Sequence, residues 1–346
     1  MKEAMFYEKL TENRVKCLLC NHHCVIKPNG RGICGVRENQ GGTLYSLVYG
    51  RLVSANLDPI EKKPLFHFLP GTTSFSIATV GCNFQCAHCQ NWQISQFPHL
   101  FPQKEMPGDT FSPEEVVQNA LAAGASSISY TYVEPTIFYE FAYDCAVLAR
   151  QKGLKNVFVS NGYMSEAVTR HIAPVLDAIN IDIKGFTEGF YHEVCKARLQ
   201  PVLENVKLFH ELGVWVEVTT LIIPGKNDSP SELEAIAQFI AGISPNMPWH
   251  VSAFYPAYKM LDTPSTKAST LVQAREIGLK NGLNFVYVGN ILNEEGETTR
   301  CPHCKTVLIR RMGYRIIQNL IQDGKCPQCK TPVPGVYLAP LQTLRK

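Results

Sequence analysis

From residue 71 to residue 292 the chain alternates short runs of β-forming residues with longer stretches whose apolar positions recur at helical spacing. That alternation is the signature of βα units packed around a parallel sheet. The strand pattern covers residues 74–80, 127–132, 156–160, 178–183, 214–222, 251–254 and 284–288. The helical pattern covers 112–123, 137–152, 166–176, 199–212, 229–241 and 266–281. Two helices announce their starts, because Ser112-Pro113 and Ser229-Pro230 each set a capping serine before a proline at the first helical position, where the missing N–H has no partner to lose. Six or seven such units build either a partial or full (β/α) barrel or an open doubly wound sheet, and periodicity does not choose between them. The turn after the first strand argues against a dinucleotide-binding domain. In place of a glycine-rich phosphate loop it reads Gly81-Cys82-Asn83-Phe84-Gln85-Cys86-Ala87-His88-Cys89.

The flanks carry cysteines of their own, which divides the α/β chain into an N-terminal Cys-rich module (1–70), a core (71–292) and a C-terminal Cys-rich module (293–346). With 45% apolar and 18% charged residues, the composition is that of a globular protein with one large core and small satellites. The formal charge of +3 gives no reason to expect a nucleic-acid partner, and Arg310-Arg311-Met312-Gly313-Tyr314-Arg315 reads as a solvated face. The opening residues are too polar for a secretion signal, and there is no unbroken apolar stretch of about 18 residues to span a bilayer. The expectation is a cytoplasmic protein with no membrane partner.

Thirteen cysteines change the picture. Eleven fall into three tight groups, and Cys145 and Cys195 stand alone. In a reducing compartment such grouping points to metal thiolates rather than disulfides. Cys82, Cys86 and Cys89 form Cys-x3-Cys-x2-Cys directly after the first strand. A cubane iron–sulfur cluster takes one thiolate per iron, so three local ligands leave one iron open for an outside ligand. The same cysteines with His88 or His99 would complete a zinc site, and with a distant thiol such as Cys145 an electron-transfer cluster. Cys301-x2-Cys304 and Cys326-x2-Cys329 have the spacing of a zinc ribbon or rubredoxin-like knuckle, structural with zinc and an electron relay with iron. Cys17, Cys20, Cys24 and Cys34, with His22 and His23 beside them, suffice for another closed site. Zinc or an auxiliary iron–sulfur cluster would suit it.

The Cys-x3-Cys-x2-Cys loop after the first strand of a βα core resembles the signature of the radical S-adenosylmethionine (SAM) superfamily. The resemblance implies a barrel of the radical SAM type, a [4Fe-4S] cluster on Cys82, Cys86 and Cys89, and SAM chelated at the open iron by its amino and carboxylate groups. One electron from the reduced cluster then breaks a carbon–sulfur bond to give methionine and a 5′-deoxyadenosyl radical, with the protein supplying orientation and exclusion of water. His88 stands where the family often has an aromatic residue, beside the adenine. Ligands gather at the carboxyl ends of parallel strands, and several motifs stand there. Glu134, in Tyr132-Val133-Glu134-Pro135, resembles the Gly-Gly-Glu-Pro element that receives the SAM amino group, without its two glycines. Ser160-Asn161-Gly162 is similar to the Thr-Asn-Gly of glycyl-radical activating enzymes, although Val159 replaces the acidic residue before it. Asp182-Ile183-Lys184 matches their Asp-x-Lys element, and residues two apart on a strand share one face. Thr219, at the end of the fifth strand, and His250, before the sixth, complete the expected SAM contacts. Tyr255 and Tyr258 could line the substrate side.

Taken with Cys17-x2-Cys20-x3-Cys24, Gly32-Ile33-Cys34-Gly35-Val36-Arg37 and the terminal four-cysteine pattern, these motifs resemble the AmmeMemoRadiSam system enzymes, relatives of the pyruvate formate-lyase activating enzyme. The resemblance implies an oxidoreductase that abstracts hydrogen from a protein, peptide or small molecule. It also implies an external reductant such as flavodoxin or ferredoxin, with Memo-type and AMMECR-type proteins as partners. The competing readings are a glycyl-radical-enzyme activase specifically, an iron–sulfur electron carrier, and a zinc-binding interaction protein.

Overall fold

The structure, a computed structural model, describes residues 1–338. The chain forms two compact units, one of Met1–Asp58, Thr73–Val216 and Tyr255–Ser265, the other of Pro59–Thr72, Glu217–Phe254 and Thr266–Lys346.

In the first unit the βα alternation runs β1 (Thr73–Ala78), α1 (Pro113–Ala122), β2 (Ser127–Tyr130), α2 (Tyr139–Gln151), β3 (Lys155–Ser160), α3 (Glu166–Ile172), β4 (Ala178–Asp182) and α4 (Gln200–Glu211). Strands β1 to β4 pair in chain order, all parallel, with Ile128 opposite both Phe75 and Asn156 and Val157 opposite Ala178. The four residues of β2 are all buried, as expected for a parallel strand covered on both faces. Strand alternation sorts them. Tyr130 packs its ring 5.3 Å from Phe158, on the same face as Asn156, whose amide donates to the Ala146 carbonyl of α2. Ser129 points to the other face and bonds Ser74 at 2.5 Å. The start of α1 is a capping box: Ser112 Oγ accepts from the Glu115 N–H, and the Glu115 carboxylate accepts from the Ser112 N–H, an arrangement that stabilises a helix start by about 1 kcal/mol. Ahead of β1 lie two three-stranded antiparallel sheets, one of Tyr7–Lys9, Val15–Cys17 and Val25–Ile26, the other of Lys2–Glu3, Thr43–Ser46 and Arg37–Gln40.

The second unit continues the alternation with β5 (Trp215–Ile222), most of which belongs to it, then α5 (Pro230–Ile243), β6 (Trp249–Ala253), α6 (Ala268–Lys280) and β7 (Val286–Gly289). These strands are again parallel in chain order, with Thr219 opposite His250 and His250 opposite Tyr287. An antiparallel sheet of β8 (Thr299–Arg300), β9 (Val307–Met312) and β10 (Arg315–Asn319) follows. Among the described residues no helix is long and apolar enough to cross a membrane.

Four expectations change in detail. The helix predicted over 137–152 opens with a 3-10 turn, Pro135–Phe138, and the one over 166–176 leaves α geometry at Ile172 for the 3-10 turn Ala173–Val175, because Pro174 has no N–H for the ladder. Strand β6 starts at Trp249, so His250 lies inside it rather than before it. The basic stretch at 310–315 is not uniformly solvated. Strand alternation exposes Arg310, which pairs with Glu294, and buries Arg311 completely. Arg311 donates to the Phe66 carbonyl at 2.7 Å and to Thr299 Oγ1 at 2.7 Å.

Candidate functional site

The cysteine loop leaves β1 at Gly81, whose φ of +100° suits glycine alone; a Cβ there would stand 2.7 Å from a Val36 methyl and 3.0 Å from the Cys34 carbonyl. Two segments distant in sequence hold the loop. The N–H groups of Gln85 and Ala87 donate to the carbonyls of Cys195 and Val194, and the Ala87 carbonyl accepts from Lys259 N–H at 3.0 Å. Trp92, just past the loop, stacks on Tyr258 with ring centroids 5.3 Å apart. Tyr258 is thereby packed beside the loop, whereas Tyr255 is 45% exposed.

Cys86 is buried, and Cys82 and Cys89 are half-buried. Among the described residues, one set of metal-ligating side chains draws three or more donor atoms within 4.8 Å of one another, and it is the C-terminal group. The sulfurs of Cys82, Cys86 and Cys89 do not form a group of that kind. Burial, and then the Glu134 carboxylate, push the Cys82 thiol up, and burial does the same to Cys89 although Ser95 Oγ sits 3.2 Å from its sulfur. A metal held by these side chains would supply the positive charge that turns such thiols into thiolates. In the sequence Cys195 stands apart from every cysteine group. In the fold its side chain hydrogen-bonds Cys86, the main cause of that thiol's raised pKa. Cys195 ends a π-helical turn, Tyr191–Cys195, followed by Lys196 in the left-handed region, and such turns recur at functional sites.

Glu134, Ser160 and Asn161 come together beside this loop. The buried Glu134 carboxylate accepts from Thr136 N–H and Oγ1, from Ser160 Oγ at 2.8 Å and from Asn161 N–H at 2.7 Å. Burial raises its pKa, and these donors oppose the rise. Asn161 Nδ2 donates to Asn83 Oδ1 at 2.7 Å and lies 4.0 Å from Cys82 Sγ. The strand-end motifs after β2 and β3 are thus bonded to each other and to the cysteine loop.

Asp182 and Lys184 face one another at 2.9 Å. Burial works against the Lys184 ammonium, yet Asp182 and the thiols of Cys86 and Cys195 outweigh it and hold the lysine charged. The buried His88 has its pKa pushed down to about 3 by burial and by Lys184, so its imidazole is neutral near pH 7, and its Nδ1 has no hydrogen-bond partner.

Thr219 and His250 are neighbours on β5 and β6 in the second unit. His250 Nε2 bonds Glu217 at 2.7 Å, and its ring packs against Phe66 and Tyr287. Glu217 also accepts from the N–H groups of Phe66 and His67. This buried network was not legible in the sequence.

The four C-terminal cysteines converge, with Cys301 and Cys329 sulfurs 3.5 Å apart and Cys304 and Cys326 sulfurs 3.7 Å apart. A tetrahedron with metal–sulfur bonds of about 2.3 Å has edges of about 3.8 Å, so the group fits one tetrahedral ion. Each knuckle closes alike: Lys305 N–H donates to the Cys301 carbonyl and Lys330 N–H to that of Cys326. Cys17, Cys20, Cys24 and Cys34 lie around a common cavity in the first unit.

Residues 76–240 match the model of the radical SAM superfamily. An uncharacterised protein of Methanocaldococcus jannaschii is 48% identical over 95% of this chain and 98% of its own. A putative glycyl-radical enzyme activating enzyme of the same organism is 23% identical over 59% of this chain and 76% of its own. A solved domain of the pyruvate-formate lyase-activating enzyme from Bacteroides vulgatus aligns with 48% of this chain and 100% of its own, at 17% identity and a TM-score of 0.42.

Proposed function

Because the chain belongs to the radical SAM superfamily, whose members are enzymes, we propose that it binds a [4Fe-4S] cluster on Cys82, Cys86 and Cys89, cleaves SAM reductively there, and abstracts hydrogen from a protein, peptide or small-molecule substrate. The observation that carries this reading is the triad of thiols, one buried and two half-buried, on a loop anchored from two sides just past β1. A bound cluster supplies the single electron that breaks the carbon–sulfur bond of SAM.

The chain's own residues supply the rest. The Asp182–Lys184 pair keeps a positive charge beside Cys86 and Cys195, suited to balancing a thiolate-bound cluster or the SAM carboxylate. Neutral His88 offers an unpaired ring nitrogen. Glu134, fixed by four protein donors, ties the Ser160-Asn161 turn to the cluster loop, and Oε2 is the oxygen with fewer donors for a SAM amino group. Thr219 and His250 are retained as proposed SAM contacts on the strength of the sequence motifs alone. Sequence likeness to activating enzymes favours a protein or peptide substrate, with a flavodoxin or ferredoxin as electron donor and Memo-type and AMMECR-type proteins as partners to test. The C-terminal group we assign to structural zinc, and the three-part division of the chain we retain as a division of roles.

The test is anaerobic reconstitution, reduction and addition of SAM, with 5′-deoxyadenosine quantified by mass spectrometry. The product should form, and Cys82→Ala should abolish it.

A further inference from the structure

The N-terminal cysteines arise from separate local elements. Cys17 ends the strand Val15–Cys17, Cys20 and Cys24 follow in the turn after it, and Cys34 stands just before the strand Arg37–Gln40. All four line one small pocket, and Arg37 and Asn83 line it too. Two observations say what belongs there.

The first is spacing. The C-terminal sulfurs have closed to the edge length of a single-ion tetrahedron, whereas no three of the N-terminal donors lie within 4.8 Å of one another. In this they behave like the loop of Cys82, Cys86 and Cys89. Thiolates bound to different irons of a cubane stand farther apart than thiolates sharing one ion. The second is Arg37. It is 1% exposed, and both its terminal nitrogens are used, on Glu140 at 2.9 and 3.1 Å and on the Met5 carbonyl at 2.8 Å. Its Nε–H has no partner. A buried guanidinium N–H left unbonded is destabilising, and a thiolate or bridging sulfide in the adjoining cavity would accept it.

We propose that Cys17, Cys20, Cys24 and Cys34 together ligate a second [4Fe-4S] cluster, with Arg37 Nε donating to it. Assembly displaces four thiol protons and fills all four irons with protein ligands, so this cluster, unlike the first, holds no open iron for SAM. It lies against the first site, because Asn83 follows Cys82 and lines this cavity while the Cys34 carbonyl packs on Gly81. The position suits a relay that passes one electron at a time from an external low-potential donor to the SAM-cleaving cluster. The proposal adds to the function above and does not require it to hold.

The experiment measures iron, zinc and acid-labile sulfide on protein isolated and reconstituted without oxygen, for the wild type, the triple variant C82A/C86A/C89A, and the double variant C17A/C24A. Sulfide is the deciding readout, because neither zinc nor a single iron at the C-terminal group carries it. The wild type should hold about eight sulfides and the triple variant about four, and reduction of the triple variant should give the electron paramagnetic resonance signal of a [4Fe-4S]+ centre. Should the double variant misfold, the triple variant still decides, since its N-terminal module is intact. Zinc without sulfide in the triple variant, or a wild type with about four sulfides that the triple variant loses entirely, overturns the second cluster and leaves the radical SAM reading standing. A triple variant with as much sulfide as the wild type upholds the N-terminal cluster and sinks the assignment of Cys82, Cys86 and Cys89.

Discussion

The Arg37–Glu140 pair is the place where one atom change should disturb the first unit most. Both side chains are at most 2% exposed. Glu140 takes two bonds from the guanidinium, at 2.9 and 3.1 Å, and a third from the Met5 N–H at 2.7 Å. Removing the carboxylate by Glu140→Ala leaves a buried, fully charged arginine without its counterion, since the Arg37 pKa is held above that of a free arginine by Glu140 against the opposing effect of burial. Three bonds to a charged group, at roughly 1.5–3 kcal/mol each, set the upper bound. Relief of the carboxylate's own desolvation lowers the net loss to about 3–5 kcal/mol. Glu140→Gln keeps an acceptor oxygen and should cost about half as much. Replacing both partners, as Arg37→Met with Glu140→Ala, should recover roughly 2 kcal/mol of the single-variant loss, because no charge is then stranded. Urea unfolding followed by circular dichroism, at matched metal content, reads all three. A Glu140→Ala loss below about 1 kcal/mol, the range of exposed ion pairs, would refute the reasoning.

Further outcomes follow from other sites. His67 is fully buried, bonded to Tyr287 Oη at 2.6 Å and the Pro334 carbonyl at 2.7 Å, and burial lowers its pKa to about 4. The unfolded chain takes up a proton below pH of about 6.5 while the native site refuses it, so about 3 kcal/mol present above pH 6.5 is lost as pH falls to 4. His67→Gln should flatten that part of the stability profile; an unchanged slope would contradict the assignment. Cys304→Ala opens the C-terminal tetrahedron and should lower the melting temperature while leaving the visible absorption of the iron–sulfur centre intact. Asn161→Ala cuts the bond between the turn after β3 and Asn83 and should weaken SAM binding severalfold, checked by calorimetry on the reconstituted protein, with little effect on cluster content.

The βα order and the cysteine groups were legible because both are local patterns. Strand ends came within about two residues, and Ser112 and Ser229 accept from the N–H groups of Glu115 and Glu232 as their sequence contexts imply. What escaped detection depends on contacts between distant residues. Cys195 carries no local motif, and only the fold sets it against Cys86. Arg311 looked like part of a basic surface until strand alternation turned it inward to meet Phe66 and Thr299. Glu217, an acidic residue in an apolar strand, was the one signal for the buried network around His250, since a carboxylate is rarely buried without partners. The unequal spacing of the three cysteine groups has no counterpart in their sequence intervals.

The measurement closest to the central claim is SAM cleavage itself. The anaerobically reconstituted and reduced protein, given SAM, should release 5′-deoxyadenosine, and Cys86→Ala, which removes the buried thiol at the middle of the loop, should release none. Equal product from the variant, or none from a wild type carrying its full cluster with any of several reductants, would contradict the account.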